Sequence, residues 1–353
     1  MRGIHPHMNE RPAPSLRFDW AMTVASLWCS GGIMVDAYHH FHTTVETFFE
    51  PAHGLLYAGL LASYVIVGIA MTTYHRRGYP WKRALPPGYE STIAGLVVFA
   101  IGGVLDMIKH TLWGFEQGFD ALLSPTHLVI GAGVFLIVAG PIRSAIVRAS
   151  QPRGLLAQLP MLLSLASLME LMHWGLQFIF LSEAERMNAP LAPAGFPHDT
   201  FTLLSLLYDK EGLGLLAVII QSLLLMSFAL WTAQRVKLAP GALTVLFLVG
   251  NLFIAAAHSN FAWQFWAVVL ASLCAGALGD ILRIDRGAAN ARWFGAAFVV
   301  PAIYWVMLLA VLGFAMNGIW WTNDVIAGSV LFAGLCGVLV AALVRTEVQS
   351  PPP

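Results

Sequence analysis

Ten apolar stretches of about 20 residues recur along the sequence, and they constrain the fold more than any other feature. A helix of that length crosses the hydrocarbon core of a bilayer, which is about 30 Å thick. Of the 353 residues, 58% are hydrophobic and 11% are charged, whereas soluble proteins carry roughly 25% charged residues. The sequence therefore predicts an all-α, polytopic integral membrane helix bundle with about ten transmembrane helices. The predicted spans are residues 18–39, 52–74, 91–114, 126–147, 155–181, 211–234, 241–259, 262–281, 294–316 and 324–344.

The charges between the spans predict the orientation of this bundle. If the spans alternate in direction, 16 of the 19 Lys and Arg residues fall on one side, and the exceptions are Lys109, Arg186 and Lys210. Positively charged loops favour the cytoplasmic side, so we expect both termini to be cytoplasmic. The 19 basic residues are balanced by 19 acidic residues, which leaves no basic excess to bind nucleic acid. The expected environment is the lipid bilayer of a bacterial cytoplasmic (inner) membrane.

Histidines gather on the opposite, outer side, although they were not used to orient the chain. Nine of the 12 histidines and 13 of the 19 acidic residues fall there. Cys29, Cys274 and Cys336 are far apart in apolar runs, where free cysteines behave as small buried hydrophobes. This distribution predicts a metal site of imidazole and carboxylate ligands at the outer, periplasmic face, without thiolate.

The first candidate ligands lie where the first predicted span ends and the second begins. Asp36 and His40 are four residues apart, which places both side chains on one face of a helix. His53 follows at the start of the next span, in the pattern Asp-x3-His-x12-His. We call spans 18–39 and 52–74 the first hairpin. Its three side chains predict one metal site, because ionisable groups within membrane helices are expensive and usually functional.

The pattern occurs a second time in spans 91–114 and 126–147, which we call the second hairpin. Asp106 and His110 are again four residues apart, and His127 opens the following span. In both hairpins a pair of glycines precedes the acid and an Ala-Gly pair follows the second histidine. The sequence therefore predicts an internal repeat with two metal sites. A hydrogen bond between two helices is the alternative interpretation of each Asp-His pair.

These motifs resemble those of one membrane subunit of the copper membrane monooxygenases, a family that includes the particulate methane and ammonia monooxygenases. In that subunit an Asp-x3-His-x12-His pattern supplies a copper site, and Asp36, His40 and His53 match it without a gap. The second hairpin is similar to the second cluster of the same subunit, with two departures: Asp106 stands where the family usually has Asn, and the distance from His110 to His127 is longer. The segments that carry this second similarity are His110-Thr111-Leu112-Trp113, Glu116 and Pro125-Thr126-His127.

The resemblance covers residues 18–148 and implies copper as the bound metal. It also implies partner membrane subunits, because the related enzymes are hetero-oligomeric; a homo-oligomer is the alternative. We accordingly expect residues 1–17 to be a cytoplasmic tail and residues 18–148 to be the metal-binding half. Residues 149–345 are expected to form an additional transmembrane bundle, and residues 346–353 a disordered tail.

Glu170 and His173 are a further pair on one helical face, at the outer end of the fifth span. They are candidate ligands of a second or third metal ion, and they would equally serve to orient a ligand histidine or to pack as plain polar groups. We therefore include both residues among the candidate metal ligands.

Three functions fit these residues. Nitrogen and oxygen ligands favour copper(II), iron, zinc or manganese, and copper is preferred by its affinity and by the resemblance, with iron and zinc as alternatives. The leading hypothesis is an oxygen-using, monooxygenase-like oxidoreductase that acts on a small or apolar substrate and needs an electron donor. The alternatives are a non-catalytic protein of metal storage, sensing or transport, and a zinc-dependent membrane hydrolase with Glu46, Glu116 or Glu170 as base. No catalytic residue beyond these is assigned.

Overall fold

The computed structural model describes residues 10–42, 48–116, 119–148, 154–177, 200–259, 263–284, 288–315, 319 and 321–349. Within these ranges, side chains are described except at 40–42, 119, 200–210, 257–259 and 346–349. The described residues form eleven α-helices and a 3-10 turn at Trp81–Arg83, with no strand in these ranges.

The helices are numbered in chain order. They are α1 Leu16–His42, α2 Pro51–Arg76, α3 Glu90–Trp113, α4 Phe119–Leu123, α5 Pro125–Val147, α6 Leu155–Gly175, α7 Thr200–Arg235, α8 Ala242–Ser259, α9 Trp263–Leu282, α10 Asn290–Ala315 and α11 Asn323–Gln349.

Each of the ten predicted spans coincides with one of these helices. Among the described residues, eight helices are long and apolar enough to cross a membrane: α2, α3, α5, α6, α7, α9, α10 and α11. In α8, the apolar part is the shorter stretch Ala242–Ala256. The architecture is therefore that of an integral membrane helix bundle. The full number of crossings and the location of the termini remain predictions.

Two boundaries differ clearly from their predictions. Helix α6 ends at Gly175, whereas the span was expected to run to residue 181, of which 178–181 lie outside the described residues. Helix α7 begins at Thr200, whereas the span was expected to begin at residue 211. The segment from 200 to 208 contains no glycine or proline, so the helix continues through the charged residues Asp209, Lys210 and Glu211. Charges indicate where a chain leaves the hydrocarbon core, but they do not end a helix.

The chain divides into two units, Met1–Leu168 and Met169–Pro353. In the first unit, α1 packs against α2 and α5, and α3 packs against α5. Helix α3 shows why the bundle suits a membrane, because a stripe of large apolar side chains is exposed on the face opposite buried Asp106 and His110. The stripe consists of Val97, Ile101, Val104, Leu105, Ile108 and Leu112.

Glycines bring the two helices of the first hairpin into close contact. A Cβ atom added at Gly32 would lie 2.5 Å from the Cα of Leu56, and one added at Gly59 would lie 2.5 Å from the backbone nitrogen of Cys29. Real Cβ atoms do not approach backbone so closely, so these positions require glycine. Small residues are the usual means by which membrane helices approach each other.

The second hairpin repeats these contacts. A Cβ at Gly102 would lie 3.0 Å from the backbone nitrogen of Ile130, and one at Gly133 would lie 2.6 Å from that of Phe99. Gly32 and Gly102 each stand four residues before the aspartate, and each meets the residue three positions after the second histidine. The predicted sequence repeat is thus also a repeat of helix packing.

A buried polar cluster links α1, α3 and α5 at the end of these helices that lies opposite Asp36 and Asp106. The Tyr89 hydroxyl donates to Asp19 Oδ1 at 2.7 Å, and Arg148 forms an ion pair with the same carboxylate. Burial and the Asp19 carboxylate raise the pKa of Tyr89 well above its ordinary value, so the hydroxyl keeps the proton that it donates. This cluster fixes the start of α1, the start of α3 and the end of α5 to one another.

In the second unit, α9 packs against α8 and α10, and α11 packs against α7 and α10. Small residues again allow close approach, because a Cβ at Gly276 would lie 2.5 Å from the Cα of Thr244. Asp280 accepts the backbone N–H groups of Leu243 and Thr244. These N–H groups lie in the first turn of α8 and have no partner within their own helix, so the carboxylate stabilises the beginning of α8.

Candidate metal centre

Asp106, His110 and His127 meet at one end of the second hairpin. Asp106 Oδ2 lies 3.2 Å from His110 Nε2, and Asp106 Oδ1 lies 3.2 Å from His127 Nε2. One ligand atom from each of the three residues lies within 4.8 Å of the other two. Ligands bound tetrahedrally at about 2.0–2.1 Å from an ion are about 3.3 Å apart. The three side chains can therefore hold one metal ion with little movement.

The other ring nitrogen of each histidine is occupied by acceptors. His127 Nδ1 lies 2.7 Å from the carbonyl oxygen of Ala121. His110 Nδ1 lies 3.2 Å from the carbonyl oxygen of Gly114 and 3.5 Å from Glu116 Oε2. Because these oxygens only accept, each Nδ1 carries a proton, so each Nε2 either carries a second proton or presents a lone pair. A metal-binding histidine usually donates its second N–H in this way.

Each Nε2 faces an oxygen of the same carboxylate. If the imidazoles are neutral, this contact between lone pairs is repulsive unless a cation lies between the groups. Within the described residues, His110 Nε2 is buried and has no hydrogen-bond partner, although Asp106 Oδ2 is only 3.2 Å away. Either both rings are protonated or one metal ion serves both nitrogens. The donor set, two nitrogens and one oxygen, fits copper, zinc or iron.

The three side chains of this cluster differ in how far they are exposed to solvent. The side chains of Asp106 and His110 are 3% and 2% exposed, whereas that of His127 is 31% exposed. Phe115, which follows the end of α3, stacks on the His110 ring with the ring centroids 4.2 Å apart. Among the described residues of the cluster, His127 is therefore the one that is most accessible.

Hydroxyl groups extend the cluster away from Asp106. Thr126 donates to Asp106 Oδ1 at 2.6 Å, and Ser124 Oγ lies 3.0 Å from Thr126 Oγ1. Lys109 donates to Ser124 Oγ at 2.6 Å and forms an ion pair with Glu116. Sequence reasoning assigned no role to Lys109, Ser124 or Thr126. The signal available was the position of Lys109, which is one of only three basic residues on the predicted outer side.

The first hairpin shows the equivalent Asp-His contact. His53 Nε2 lies 3.4 Å from Asp36 Oδ2, and the two side chains are 6% and 16% exposed. Phe48 stacks on the His53 ring at 5.3 Å. His40, the remaining predicted ligand, is in the last turn of α1, and its side chain lies outside the described residues. Two of the three predicted ligands are therefore adjacent.

Glu170 and His173 lie in a different environment. The two carboxylate oxygens of Glu170 accept the backbone N–H groups of Phe253 and Ile254 at 2.7 and 3.1 Å. His173 Nδ1 lies 3.1 Å from the carbonyl oxygen of Gly250. Both side chains are buried. Among the described residues, the cluster of ligand-type side chains that can hold a metal does not include them.

These contacts involve both partners of one helical hydrogen bond in α8. In a regular helix, the N–H of Ile254 points to the carbonyl oxygen of Gly250. Here Glu170 accepts the N–H of Ile254, and the His173 ring contacts the carbonyl oxygen of Gly250. A side chain that enters the backbone ladder in this way is a recognised cause of helix bending. The geometry favours the polar-packing interpretation of this pair.

Family models, curated proteins and solved structures were each compared with this chain. None of the three comparisons found a match. The assignment of function therefore depends on the geometry of the Asp/His cluster and on the motifs that the sequence carries.

Proposed function

We propose that this membrane protein is a metalloprotein in which Asp106, His110 and His127 hold a copper ion, and that it is an oxygen-using oxidoreductase acting on a small or apolar substrate. The observation that carries the proposal is the orientation of the two rings. Each donates through Nδ1 to a main-chain carbonyl and presents Nε2 to the same buried carboxylate. This arrangement prepares three ligands for a cation.

A second copper ion at Asp36, His40 and His53 is part of the same proposal. Its support is the internal repeat, because the glycine contacts and the Asp-His distance recur at matching positions in both hairpins. If the backbones of the two hairpins match, His40 would take the place in the first hairpin that His110 takes in the second. The resemblance to the copper membrane monooxygenases is consistent with both sites.

The protein residues would have separate roles in this chemistry. Copper, when bound, supplies a redox centre with open coordination positions for dioxygen. Asp106 supplies negative charge, and the two histidines supply neutral donors held in one orientation. Phe115 would shield one face of the His110 ring from water, while the partly exposed His127 side chain would leave access. An apolar substrate would arrive from the surrounding lipid, in contact with the apolar stripe of α3.

The orientation and partners are proposed from the sequence. The loop charges support cytoplasmic termini and a metal centre at the periplasmic face of a bacterial inner membrane. An oxidase of this kind requires an external electron donor, and the resemblance supports partner membrane subunits. For the alternative of a zinc-dependent hydrolase, Glu116 is a poor base because Lys109 neutralises it. Glu46, another candidate base, lies outside the described residues.

Dioxygen uptake by copper-loaded protein tests this function. The purified protein would be reconstituted in lipid, loaded with copper and supplied with a quinol as reductant. We expect copper-dependent uptake that the variant His110→Ala abolishes. The control is Thr111→Val, because the Thr111 hydroxyl bonds to Met107 of its own helix rather than to the cluster. Copper binding without any uptake would support storage or transport instead, and loading by zinc alone would support the hydrolase.

A further inference from the structure

We propose that Thr126, Ser124 and Lys109 are positioning residues that act through Asp106 and tune the metal affinity of the second hairpin. The inference rests on the proposed function only in taking Asp106 as a metal ligand. It adds a chain of donors that leads away from the site; neither the ligand motifs nor the resemblance gives these three residues a role.

The hydrogen bonds of this chain all have the same direction. A carboxylate accepts only, so the Thr126 hydroxyl must donate its proton to Asp106 Oδ1. The Thr126 oxygen is then free to accept from Ser124, and Ser124 accepts from the Lys109 ammonium group. The sequence Lys109 to Ser124 to Thr126 to Asp106 is therefore a chain of three donations, at 2.6, 3.0 and 2.6 Å.

A cation at the far end gives this chain a fixed direction. Lys109 has no acceptor lone pair when charged, so Ser124 cannot donate to it and must donate onward. The Lys109 and Glu116 side chains are only 23% and 15% exposed, and ionisable groups in membrane helices are costly unless paired. Glu116 supplies that pairing and also contacts His110 Nδ1 at 3.5 Å. The Lys109–Glu116 pair thus contacts His110 directly through Glu116. It reaches Asp106 through the hydroxyls of Ser124 and Thr126.

The chain has a consequence for how Asp106 binds metal. Thr126 occupies one lone pair of Oδ1 and prevents the carboxylate from rotating about its bond to Cβ. Both oxygens therefore stay directed at the histidines. Partners of this kind orient metal ligands, and their removal typically lowers metal affinity by about 10- to 100-fold.

The first hairpin has different residues at the three positions of this chain. By the register of the repeat, Ala52 stands where Thr126 does, Glu50 where Ser124 does, and His39 where Lys109 does. Alanine has no hydroxyl to donate to Asp36. The two halves of the repeat therefore share their ligand pattern and differ in what orients the carboxylate, so we expect the two sites to differ in affinity.

The test is a competitive copper(II) titration against a chelator, with electron paramagnetic resonance of the loaded protein. All proteins carry His53→Ala, which removes a ligand from the first hairpin. We expect Thr126→Val, which keeps the side-chain shape, to lower the affinity by about 10- to 100-fold and to change the copper(II) spectrum. Thr126→Ser restores the hydroxyl and should recover both. Thr111→Val is the matched control and should change neither.

The outcomes separate this inference from the proposed function. If the His53→Ala parent binds copper and Thr126→Val binds it with the same affinity and spectrum, the positioning role is wrong while the metal site stands. Failure of Thr126→Ser to recover the parent values, with helix content unchanged by circular dichroism, also overturns the inference. If the parent itself binds no copper, the proposed function fails first.

Discussion

At the scale of single residues, Glu170 and His173 show how an ionisable pair can serve structure rather than ligand binding. Glu170 receives two main-chain N–H groups from α8, and His173 reaches the Gly250 carbonyl oxygen three residues before the first of them. A Cβ at Gly250 would lie 2.1 Å from the Met169 side chain. The α6 side chains therefore fit this turn of α8 closely.

Replacing Glu170 should cost stability and leave metal binding intact. In Glu170→Gln, one oxygen acceptor becomes an NH2 donor facing a buried N–H, and such an unsatisfied group costs about 1–3 kcal/mol. We expect a lower unfolding temperature in detergent and an unchanged copper content per protein. Loss of metal at unchanged stability would instead make Glu170 a ligand.

Sequence reasoning predicted the ligand pairs at this scale because their spacing is local. Asp106 and His110 are one helical turn apart, so the helix alone places them together. The Lys109–Ser124–Thr126 chain was not predicted, because it requires the connection between α3 and α5 to fold back. The contact of Glu170 with α8 was equally inaccessible, since its partners lie 83 and 84 residues away in the sequence.

At the scale of helices, close packing within each hairpin depends on particular glycines, while other glycines of the same helices make no such contact. Gly133 abuts the Phe99 backbone, whereas Gly131, two residues earlier, has nothing within 4 Å of an added Cβ. The repeat of Gly and Ala-Gly pairs in the sequence indicated equivalent hairpins. It did not show which member of each pair makes the contact, because that depends on how each helix is rotated.

Gly133→Ala and Gly131→Ala form a matched test of this packing. Gly133→Ala must separate α3 from α5, and overpacking of this kind costs about 1–3 kcal/mol. It should also weaken copper binding, since His127 moves with α5 while Asp106 stays on α3. Gly131→Ala should be neutral or stabilising by up to about 1 kcal/mol, because alanine favours a helix. Thermal unfolding and copper titration measure both effects. Equal behaviour of the two variants would show that Gly133 is not needed for the contact.

At the scale of the whole molecule, the sequence predicted the element order closely, because each apolar stretch forms its own helix. The predicted and observed boundaries agree within a few residues for most spans. The start of α7 was missed, because charge was taken as the end of the helix. The short helix α4 was also not predicted, although Ala121 within it supplies the carbonyl that orients His127.

The predicted orientation is tested by single-cysteine labelling in closed vesicles. Cys29, Cys274 and Cys336 would first be replaced by serine or alanine. A cysteine at Lys82 should react with a membrane-impermeant reagent only from the cytoplasmic side. Cysteines at Thr43 and Ala189, which lie outside the described residues, should react only from the periplasmic side. The reverse labelling pattern would put the Asp/His clusters on the cytoplasmic side.

A metal ion shared by Asp106 and the facing imidazoles of His110 and His127 is the feature on which the proposed chemistry depends. Metal analysis combined with pulsed electron paramagnetic resonance of copper-loaded protein detects it, because the two methods count both the ions and the imidazole nitrogens coupled to them. We expect copper coupled to two imidazoles, and the loss of one ion per chain when Asp106, His110 and His127 are all replaced by alanine. Full copper content in that triple variant would contradict a shared ion, and the Asp-His contacts would then be hydrogen bonds between helices.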